Sequence, residues 1–306
     1  MATTFEDPLL ISIADRVLKA ARPNLARLNR LGIDVSPNPA QPGTTVKVPL
    51  VRAGDAAQYD ASTNNYCNAS GSVSYVPVAL TSHPVSTIGV TPADARAADV
   101  TNVQRAAVES AGEAVAQAAF TAWHNLLPAA AAGTTAQFDA TLTSAAGFAA
   151  LRAAVVNGIA AASGRPAFAG TSPAVCDLVL DPGAYSTALT LFDVMAWATR
   201  LGTNPVRDGW FEGGLLGFRS VVEDPLLSAG TGYVVARDAL AFAARPVEVL
   251  NPQVYAAFDY RTDADGSGVT FTYREHAESC TDTRYLNVEA LFGGAVAQAD
   301  RLIAIV

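Results

Sequence analysis

The segment "DGWFEGGLLGFRSVVEDPLL", residues 208–227, contains the glycine cluster that most resembles a phosphate-binding loop. Gly213, Gly214 and Gly217 lie in it, but neither G-x-x-x-x-G-K-[ST] nor a G-x-G-x-x-G after a strand is present. The glycines precede "FRSVV", which the pattern predicts to be a strand, whereas a phosphate loop leads into a helix. We therefore expect a glycine turn that closes onto a strand, and no bound cofactor.

The three histidines are isolated in the sequence: His83, His124 and His276. None has a second histidine at ligand spacing, whereas a zinc site uses three or four such donors. We expect structural roles for all three. His124 comes at the end of a predicted long helix, where the helix dipole favours a positive charge.

The three cysteines are far apart and include no C-x-x-C pair: Cys67, Cys176 and Cys280. An odd number at such spacing predicts free thiols rather than a disulfide framework or a metal site.

Other motifs with chemical potential also have simpler interpretations. "DADGSG", residues 263–268, resembles the opening of a calcium loop, but the twelfth position is Arg274 instead of the required glutamate. Glu223 and Asp224 precede a proline, and we expect them in a solvated turn. No G-x-S-x-G elbow is present. We therefore predict no catalytic, cofactor-binding or metal-binding residues and no enzymatic activity.

Composition excludes a strong nucleic-acid surface. The chain of 306 residues has a formal net charge of −8 and only two lysines, whereas phosphate binding needs a basic footprint. The N-terminus does not resemble a signal peptide, and no run of eighteen apolar residues predicts a transmembrane helix. Half of the residues are hydrophobic, as in a packed globular protein.

Periodicity predicts an α+β protein. The N-terminal segment carries an apolar stripe at three- and four-residue spacing, which would suit an arm on a neighbour as well as packing on its own domain: Leu10, Ala14, Val17, Ala21, Leu25 and Leu28. Strands at 44–50, 73–80 and 85–90 suggest a β-hairpin over residues 44–90, with a polar tip at 52–72. Thr91 and Asp94 fit a capping box at the start of a helix that continues to residue 127 and ends at Pro128.

The small residues of this long helix predict one buried face: Val100, Val103, Ala107, Ala111, Ala114, Ala118 and Ala122. Further along the chain the pattern predicts a helix at 144–162, a buried strand at 174–180, and a helix after Asp181-Pro182. A loop-rich region is expected at 199–214. Strands are expected at the start of 233–250, at 267–275 and at 301–306.

The order of these elements resembles the major capsid protein of tailed bacteriophages, with the Hong Kong 97 fold and closest to phages of the P22 kind. "FEDPLLISIADRVLKAARPNLARLNRL" resembles the N-arm, and "PGTTVKVPL" resembles the entry to the E-loop. "DLVLDPGAYSTAL", "GWFEGGLLGFRSVVEDPLL" and "GYVVARDALAFAARP" resemble A-domain segments. The last 39 residues, with "LFGG" in the penultimate turn, resemble the closing strands of the P-domain.

The resemblance implies five segments: an N-terminal arm (1–43), an E-loop hairpin (44–90), a P-domain with a spine helix (91–173), an A-domain (174–245) and P-domain return strands (246–306). It implies self-assembly as hexamers and pentamers into an icosahedral shell around double-stranded DNA. Contacts between capsomers would use the N-arm and E-loop. Expected partners are scaffolding, portal, and decoration or vertex proteins, without a membrane or specific DNA binding. Assembly in the host cytoplasm and a place in the virion capsid follow.

Two alternatives remain at this stage. A related shell, an encapsulin-like nanocompartment, would enclose protein cargo in place of DNA. A hydrolase with a triad built from distant residues would be a monomer or small oligomer with one reactive serine or cysteine.

We predict that assembled subunits carry no lysine–asparagine isopeptide crosslink, which some members of the resembled family form. The only lysines are Lys19 and Lys47, and Lys47 lies at the base of the predicted hairpin instead of its tip. Mass analysis of denatured assemblies should find monomers alone. A ladder of covalent multimers would contradict this expectation.

Overall fold

The computed structural model describes residues 45–52, 72–97, 100–132, 137–138, 142–162, 176–191, 205–212, 217–236, 239–248, 257–262, 269–278 and 282–306, with single residues 17, 21, 255 and 280. The rest of the predicted N-terminal arm, the hairpin tip between 53 and 71, and the 263–268 turn lie outside the described residues.

The described elements are a mixture of helices and strands, and most strands follow the helices in the chain. The strands are β1 (Thr45–Arg52), β2 (Ser72–Ala79), β3 (Val85–Val90), β4 (Gln137–Phe138), β5 (Cys176–Leu180), β6 (Trp210–Glu212), β7 (Ser220–Glu223), β8 (Gly232–Ala236), β9 (Leu240–Arg245), β10 (Ala257–Thr262), β11 (Thr270–Glu278), β12 (Thr283–Val296) and β13 (Leu302–Ile305). The helices are α1 (Pro92–Ala97), α2 (Val100–His124), α3 (Leu126–Ala132), α4 (Ala145–Ala162), α5 (Pro182–Leu191) and α6 (Pro205–Asp208), and a 3₁₀ turn spans Ala299–Arg301.

Strand β12 organises an antiparallel sheet in the order β10-β11-β12-β3. Its first part lies between β11 and β3, and its last six residues, Leu291–Val296, pair with β9. One face of this sheet packs on α2 in the larger core. Because residues alternate between faces, the core receives Phe271 and Tyr273 from β11 and Leu286 and Val288 from β12. Burial raises the pKa of the Tyr273 hydroxyl, and nearby Glu275 raises it further.

A second sheet has the order β4-β13-β8-β5-β7-β6 and is apolar on both faces. Leu178 and Leu180 of β5 point into a core that also receives Phe148 of α4 and Tyr185 of α5. Val179, between the two leucines, belongs instead to the core around α2. A strand covered on both faces is mostly apolar along its length, and the leucines and valine of "CDLVL" predicted a buried strand although the segment includes Asp177.

Helix starts follow the local signals. The amide of Thr91 donates to Asp94 Oδ2 (2.9 Å), and the amide of Asp94 donates to Thr91 Oγ1 (3.3 Å), as in a capping box. Hydrogen bonds from Thr91 hold the pKa of Asp94 below its ordinary value. The hydroxyl of Ser144 accepts from Gly147 at the start of α4, and Asp181 accepts from Gly183 at the start of α5.

The described part of the N-terminal arm agrees with its predicted stripe. Val17 and Ala21 are helical and fully buried in the core around α2. Val17 lies against Gly112, where an added Cβ would meet its Cγ1 at 3.0 Å. A glycine in α2 therefore lets the arm approach the helix closely.

The face predicted for the long helix is wrong. Ala114 is exposed and Ala107, Ala118 and Ala122 are only half-buried, so Ala111 alone among the described members of that face is buried. The buried stripe consists instead of Val108, Ala111, Val115, Ala116, Ala119, Phe120 and Trp123. Alanines occur on all sides of this helix and therefore do not indicate which side is buried. The larger side chains determine which side is buried, because they remove more apolar area from water.

Four further predictions need correction. The long helix does not end at Pro128: a turn at Asn125 separates α2 from α3, and Pro128 lies in the first turn of α3, where a proline is tolerated. The 199–214 region contains α6 and β6 in addition to loop. Strand β3 leaves the predicted 44–90 hairpin and pairs with β12, so the hairpin consists of β1 and β2. "LFGG" lies inside β12 instead of in a turn.

The strands of the two sheets do not divide at the segment boundaries expected at 173/174 and 245/246. Strand β9, expected with the A-domain, pairs with β12. Strands β4 and β13, expected with the P-domain, complete the sheet that contains β5 to β8. Pairing between strands distant in sequence produces both differences.

Gly293 allows β2 to cross β12 at close range. A Cβ on Gly293 would lie 2.0 Å from the carbonyl oxygen of Ala79, which is backbone and cannot rotate away. A Cβ on neighbouring Gly294 would meet the flexible end of Leu126 at 2.5 Å. The glycine pair is thus a site of close packing, which is a common role of glycine inside strands.

We predict that Gly293→Ala destabilises the protein by about 3 kcal/mol, the upper part of the range for an overpacked core. Gly294→Ala is the matched control and should cost less, because the Leu126 side chain can move. Urea unfolding followed by circular dichroism measures both. Equal stabilities for the two variants would contradict the close approach at Gly293.

Candidate assembly surface

The inner face of the β1–β2 hairpin is attached to the body at its base. Val78 is fully buried, and Val46, its partner in the strand register, packs against the same cluster together with Val76. That cluster is completed by residues of β9, β12 and the segments beside them: Leu80, Ala241, Ala243, Val247 and Leu291.

The outer face of the same hairpin is exposed and partly apolar. Val73 is 58% exposed and Tyr75 is 62% exposed, and Pro77 and Ala79 on the same face are also exposed. Ser74, on the opposite face, is exposed as well, so the hairpin projects from the body at this end. Large exposed apolar side chains on a projecting ribbon are typical of a surface that binds another molecule.

Neither strand of this ribbon has a second neighbour in the described part of the chain. Pro49 and Pro77 have no backbone N–H to donate. In the strand register Pro49 faces Tyr75 and Pro77 faces Lys47, so the two pairs are separated by two residues along each strand. Hydrogen-bonded and non-hydrogen-bonded pairs alternate along an antiparallel ladder. Two pairs separated by two residues are therefore of the same type, and both prolines can occupy non-hydrogen-bonded pairs. A two-stranded ribbon is marginal by itself in water, and further support must come from packing.

A second exposed apolar group lies on β10, the outermost strand of the β12 sheet. Phe258 and Tyr260 are two residues apart, so they lie on one face, and both are exposed. Tyr260 pairs with Thr272 of β11 and lies on the face of the sheet opposite to α2.

That face also carries a buried polar cluster around Glu289. His83 Nε2 donates to Glu289 Oε2 at 2.7 Å, and Arg274 forms an ion pair with the same carboxylate. The Arg274 guanidinium lies over the ring of Tyr255, 5.3 Å from its centroid. Nearby, His276 stacks on Tyr285 and accepts from Asn287 Nδ2 at 3.4 Å.

Asp224 is fully buried, which overturns the prediction of a solvated turn. His124 Nδ1, at the last residue of α2, donates to Asp224 Oδ2 at 2.6 Å, and the amide of Leu226 donates to Oδ1 at 2.9 Å. Burial raises the pKa of the Tyr233 hydroxyl, and the charge of Asp224 raises it further. The hydrogen-bonded pair of His124 and Asp224 connects the end of α2 to the six-stranded sheet.

Another buried carboxylate connects β5 to the chain that enters β7. Asp177 Oδ1 accepts from Arg219 Nε at 2.9 Å and from Ser220 Oγ at 2.6 Å. The other oxygen of Asp177 forms an ion pair with Arg219 Nη2. A charge removed from water needs such partners, and this arrangement serves packing of the parallel β5–β7 pair.

The histidines and glycines singled out in the sequence do not form a catalytic arrangement within the described residues. Polar contacts of the three histidines are with Glu289, Asp224 and Asn287, not with a serine or cysteine. Gly217 is a turn residue with φ +85°, as expected for a glycine turn before β7, whereas Gly213 and Gly214 lie outside the described residues.

The two described cysteines differ in exposure. Cys176 is buried and Cys280 is exposed, neither is in a disulfide bond, and Cys67 lies outside the described residues. In the described ranges, no three residues of metal-binding type form a group that could hold an ion. None of the described helices is long and apolar enough to span a membrane.

Comparison with solved structures identifies the architecture. A chain from the capsid of Ralstonia phage GP4 superposes with a TM-score of 0.60 at 12% sequence identity, over 90% of this chain and 87% of that one. The virus-like particle from Pyrococcus furiosus gives a TM-score of 0.50 at 12% identity, over 97% and 98%.

The chain has an α+β capsid-protein fold. The resemblance to phage capsid proteins inferred from the sequence is confirmed at the level of the fold. No family model matches the sequence, and no curated protein matches it. The similarity therefore rests on the path of the chain.

The sequence predicted the hairpin of this capsid-type fold, but it did not predict which face of the hairpin is exposed. The alternation in β2 marks two faces, and both contain valine. Val78 is buried because Leu291 of β12 and Ala241 and Ala243 of β9 pack in the same cluster, and no local signal in β2 predicts this contact.

We predict that the two faces differ in their contribution to stability. Val78→Ala should lower the free energy of unfolding by about 2 kcal/mol, through lost burial and a cavity. Tyr75→Thr keeps a residue that favours strands and should cost less than about 1 kcal/mol, because the side chain is exposed. Chemical denaturation of the unassembled subunit measures both. A larger loss for Tyr75→Thr would contradict the assignment of faces.

Proposed function

We propose that this chain is the major capsid protein of a tailed bacteriophage, and that it assembles as hexamers and pentamers into an icosahedral shell around double-stranded DNA. The observation that carries the proposal is the similarity of fold to the Ralstonia phage GP4 capsid chain over most of both chains. The Hong Kong 97 fold of the P22 kind, proposed from the order of elements, is consistent with the described architecture.

The elements can be assigned within that fold. The hairpin β1–β2 and the residues between its strands are the E-loop, and residues 1–43 are the N-arm. Helix α2 and the β12 sheet, including β9, are the P-domain, with α2 as the spine helix. The sheet that contains β5 to β8 is the A-domain, completed by β4 and β13.

The physical argument for assembly lies in the hairpin. Its base is buried in its own subunit, but Val73 and Tyr75 are exposed on a ribbon that has little internal support. Contact with a second copy would bury these side chains. In a closed shell every subunit can offer its hairpin to a neighbour and receive one, so each copy gains the same burial.

The charge of the chain agrees with a container for DNA. With a formal net charge of −8, the protein has little attraction for phosphates, so packaged DNA can be held without specific binding and later released. We propose separate scaffolding, portal, and decoration or vertex proteins as partners. Assembly in the host cytoplasm would precede a place in the virion capsid, and the chain would have no enzymatic activity.

A protein shell with protein cargo is the second candidate. The match to the Pyrococcus furiosus virus-like particle over nearly the full length of both chains supports a particle-forming shell and is compatible with either content. The nucleic-acid content of particles purified from the native source separates the two candidates. Nuclease-protected double-stranded DNA supports the phage capsid, and a copurifying enzyme without DNA supports the compartment.

We predict that the double variant Val73→Thr/Tyr75→Thr folds but does not form shells, because the outer face of the hairpin no longer offers apolar area. Negative-stain electron microscopy and sedimentation velocity measure particle yield, with an expected loss of at least about tenfold, since burial of each large side chain contributes roughly 1.5 kcal/mol or more.

Val206→Thr is the matched control, because Val206 is 63% exposed but lies on α6, away from the hairpin. It should assemble like the wild type. Replacement of residues 55–72 by a short Gly-Ser turn should also leave a folded subunit that does not assemble. Normal shells from either hairpin variant would overturn the assignment of the E-loop.

A further inference from the structure

The chain connects the projecting hairpin to the β12 sheet through a short neck, defined here as residues 79–84. It leaves β2 at Ala79 and enters β3 at Val85. The neck therefore joins the base of the hairpin to the β12 sheet, and its position contributes, together with the buried base, to where the hairpin points.

Backbone contacts hold the neck along β12. The amide of Ser82 donates to the carbonyl of Phe292 at 3.1 Å, and the amide of Phe292 donates back to Ser82 at 3.0 Å. At one end, the amide of Ala290 donates to the carbonyl of Pro84 at 3.3 Å. At the other end, the carbonyl of Ala79 lies over Gly293.

One side chain of the neck adds a contact to a buried charge. His83 Nε2 donates to Glu289 Oε2 at 2.7 Å, and the Glu289 side chain is 6% exposed. The same carboxylate is paired with Arg274 of β11. Glu289 therefore connects the neck, β12 and β11. Hydrogen bonds to an ionised group are shorter and stronger than neutral ones, and this one is partly shielded from water.

We propose that His83 is the positioning residue of the neck: through Glu289 it holds residues 79–84 on β12 and thereby fixes the direction in which the hairpin leaves the body. Pro84 supports this role, because the residue before a proline is confined to extended conformations. The consequence for assembly rests on the proposed function: a fixed hairpin direction gives shells of uniform size.

The variants His83→Ala, His83→Gln and His276→Ala test the proposal in the purified subunit. His83→Gln retains an N–H donor toward Glu289 and should behave like the wild type. His276→Ala is the matched control, because His276 lies on the same face of the sheet but contacts Asn287 and Tyr285 instead of the neck.

Hydrogen–deuterium exchange of the unassembled subunit gives the first result. In His83→Ala the amides of Ser82 and Phe292 should exchange at least about tenfold faster, as expected for loss of a hydrogen bond to a charged group. Exchange in β5, in the other sheet, should not change. Unchanged exchange at Ser82 would overturn the proposal, as would equal acceleration in His276→Ala or in His83→Gln.

Electron microscopy of assemblies gives the second result. His83→Ala should give particles with a wider distribution of diameters than the wild type, and His83→Gln should restore the narrow distribution. Uniform wild-type-sized particles from His83→Ala would overturn the link between neck and shell size. Absence of particles from the wild type, even in the presence of the proposed scaffolding protein, would overturn the proposed function instead, and the exchange result would still decide whether His83 holds the neck.

Discussion

Strand β12 forms backbone hydrogen bonds with β11 and β3 along its first part and with β9 along its last part, and the rest of the structure depends on this ladder. It also bonds to Ser82 of the neck and accommodates the crossing of β2 at Gly293. One strand of fourteen residues therefore holds the sheet that packs on α2 and the base of the hairpin in a single frame. Each unit is placed by backbone contacts that side-chain rearrangement cannot easily change.

The two sheets meet at α2 and α3. The helices pack against the β12 sheet and against one face of the second sheet, and the other face of that sheet closes over α4 and α5. Buried polar pairs occur where these layers join: His124 with Asp224 at the end of α2, and Asp177 with Arg219 within the second sheet. A buried pair of this kind adds little net stability over an apolar pair, but loss of one partner leaves a charge without compensation, so such pairs favour one arrangement of the layers.

The sequence predicted the elements whose signals are local. The capping box of Thr91 and Asp94, the buried strand β5 and the terminal strand β13 were identifiable because their signals come from neighbouring residues alone. The predictions failed where the partner is distant. Asp224 resembled a surface turn residue because His124 is 100 positions away, and β3 resembled a hairpin strand because its partner β12 lies near the other end of the chain. The glycines of "LFGG" suggested a turn, although the constraint is a carbonyl that crosses above one of them.

The central claim is that subunits cover one another's hairpins in a closed shell. Cryo-electron microscopy of the purified wild-type protein tests it most directly. The account predicts closed icosahedral particles in which Val73 and Tyr75 are covered by a neighbouring subunit. Closed particles in which this face of the hairpin stays in contact with solvent, or monomers alone even in the presence of the proposed scaffolding protein, would contradict it.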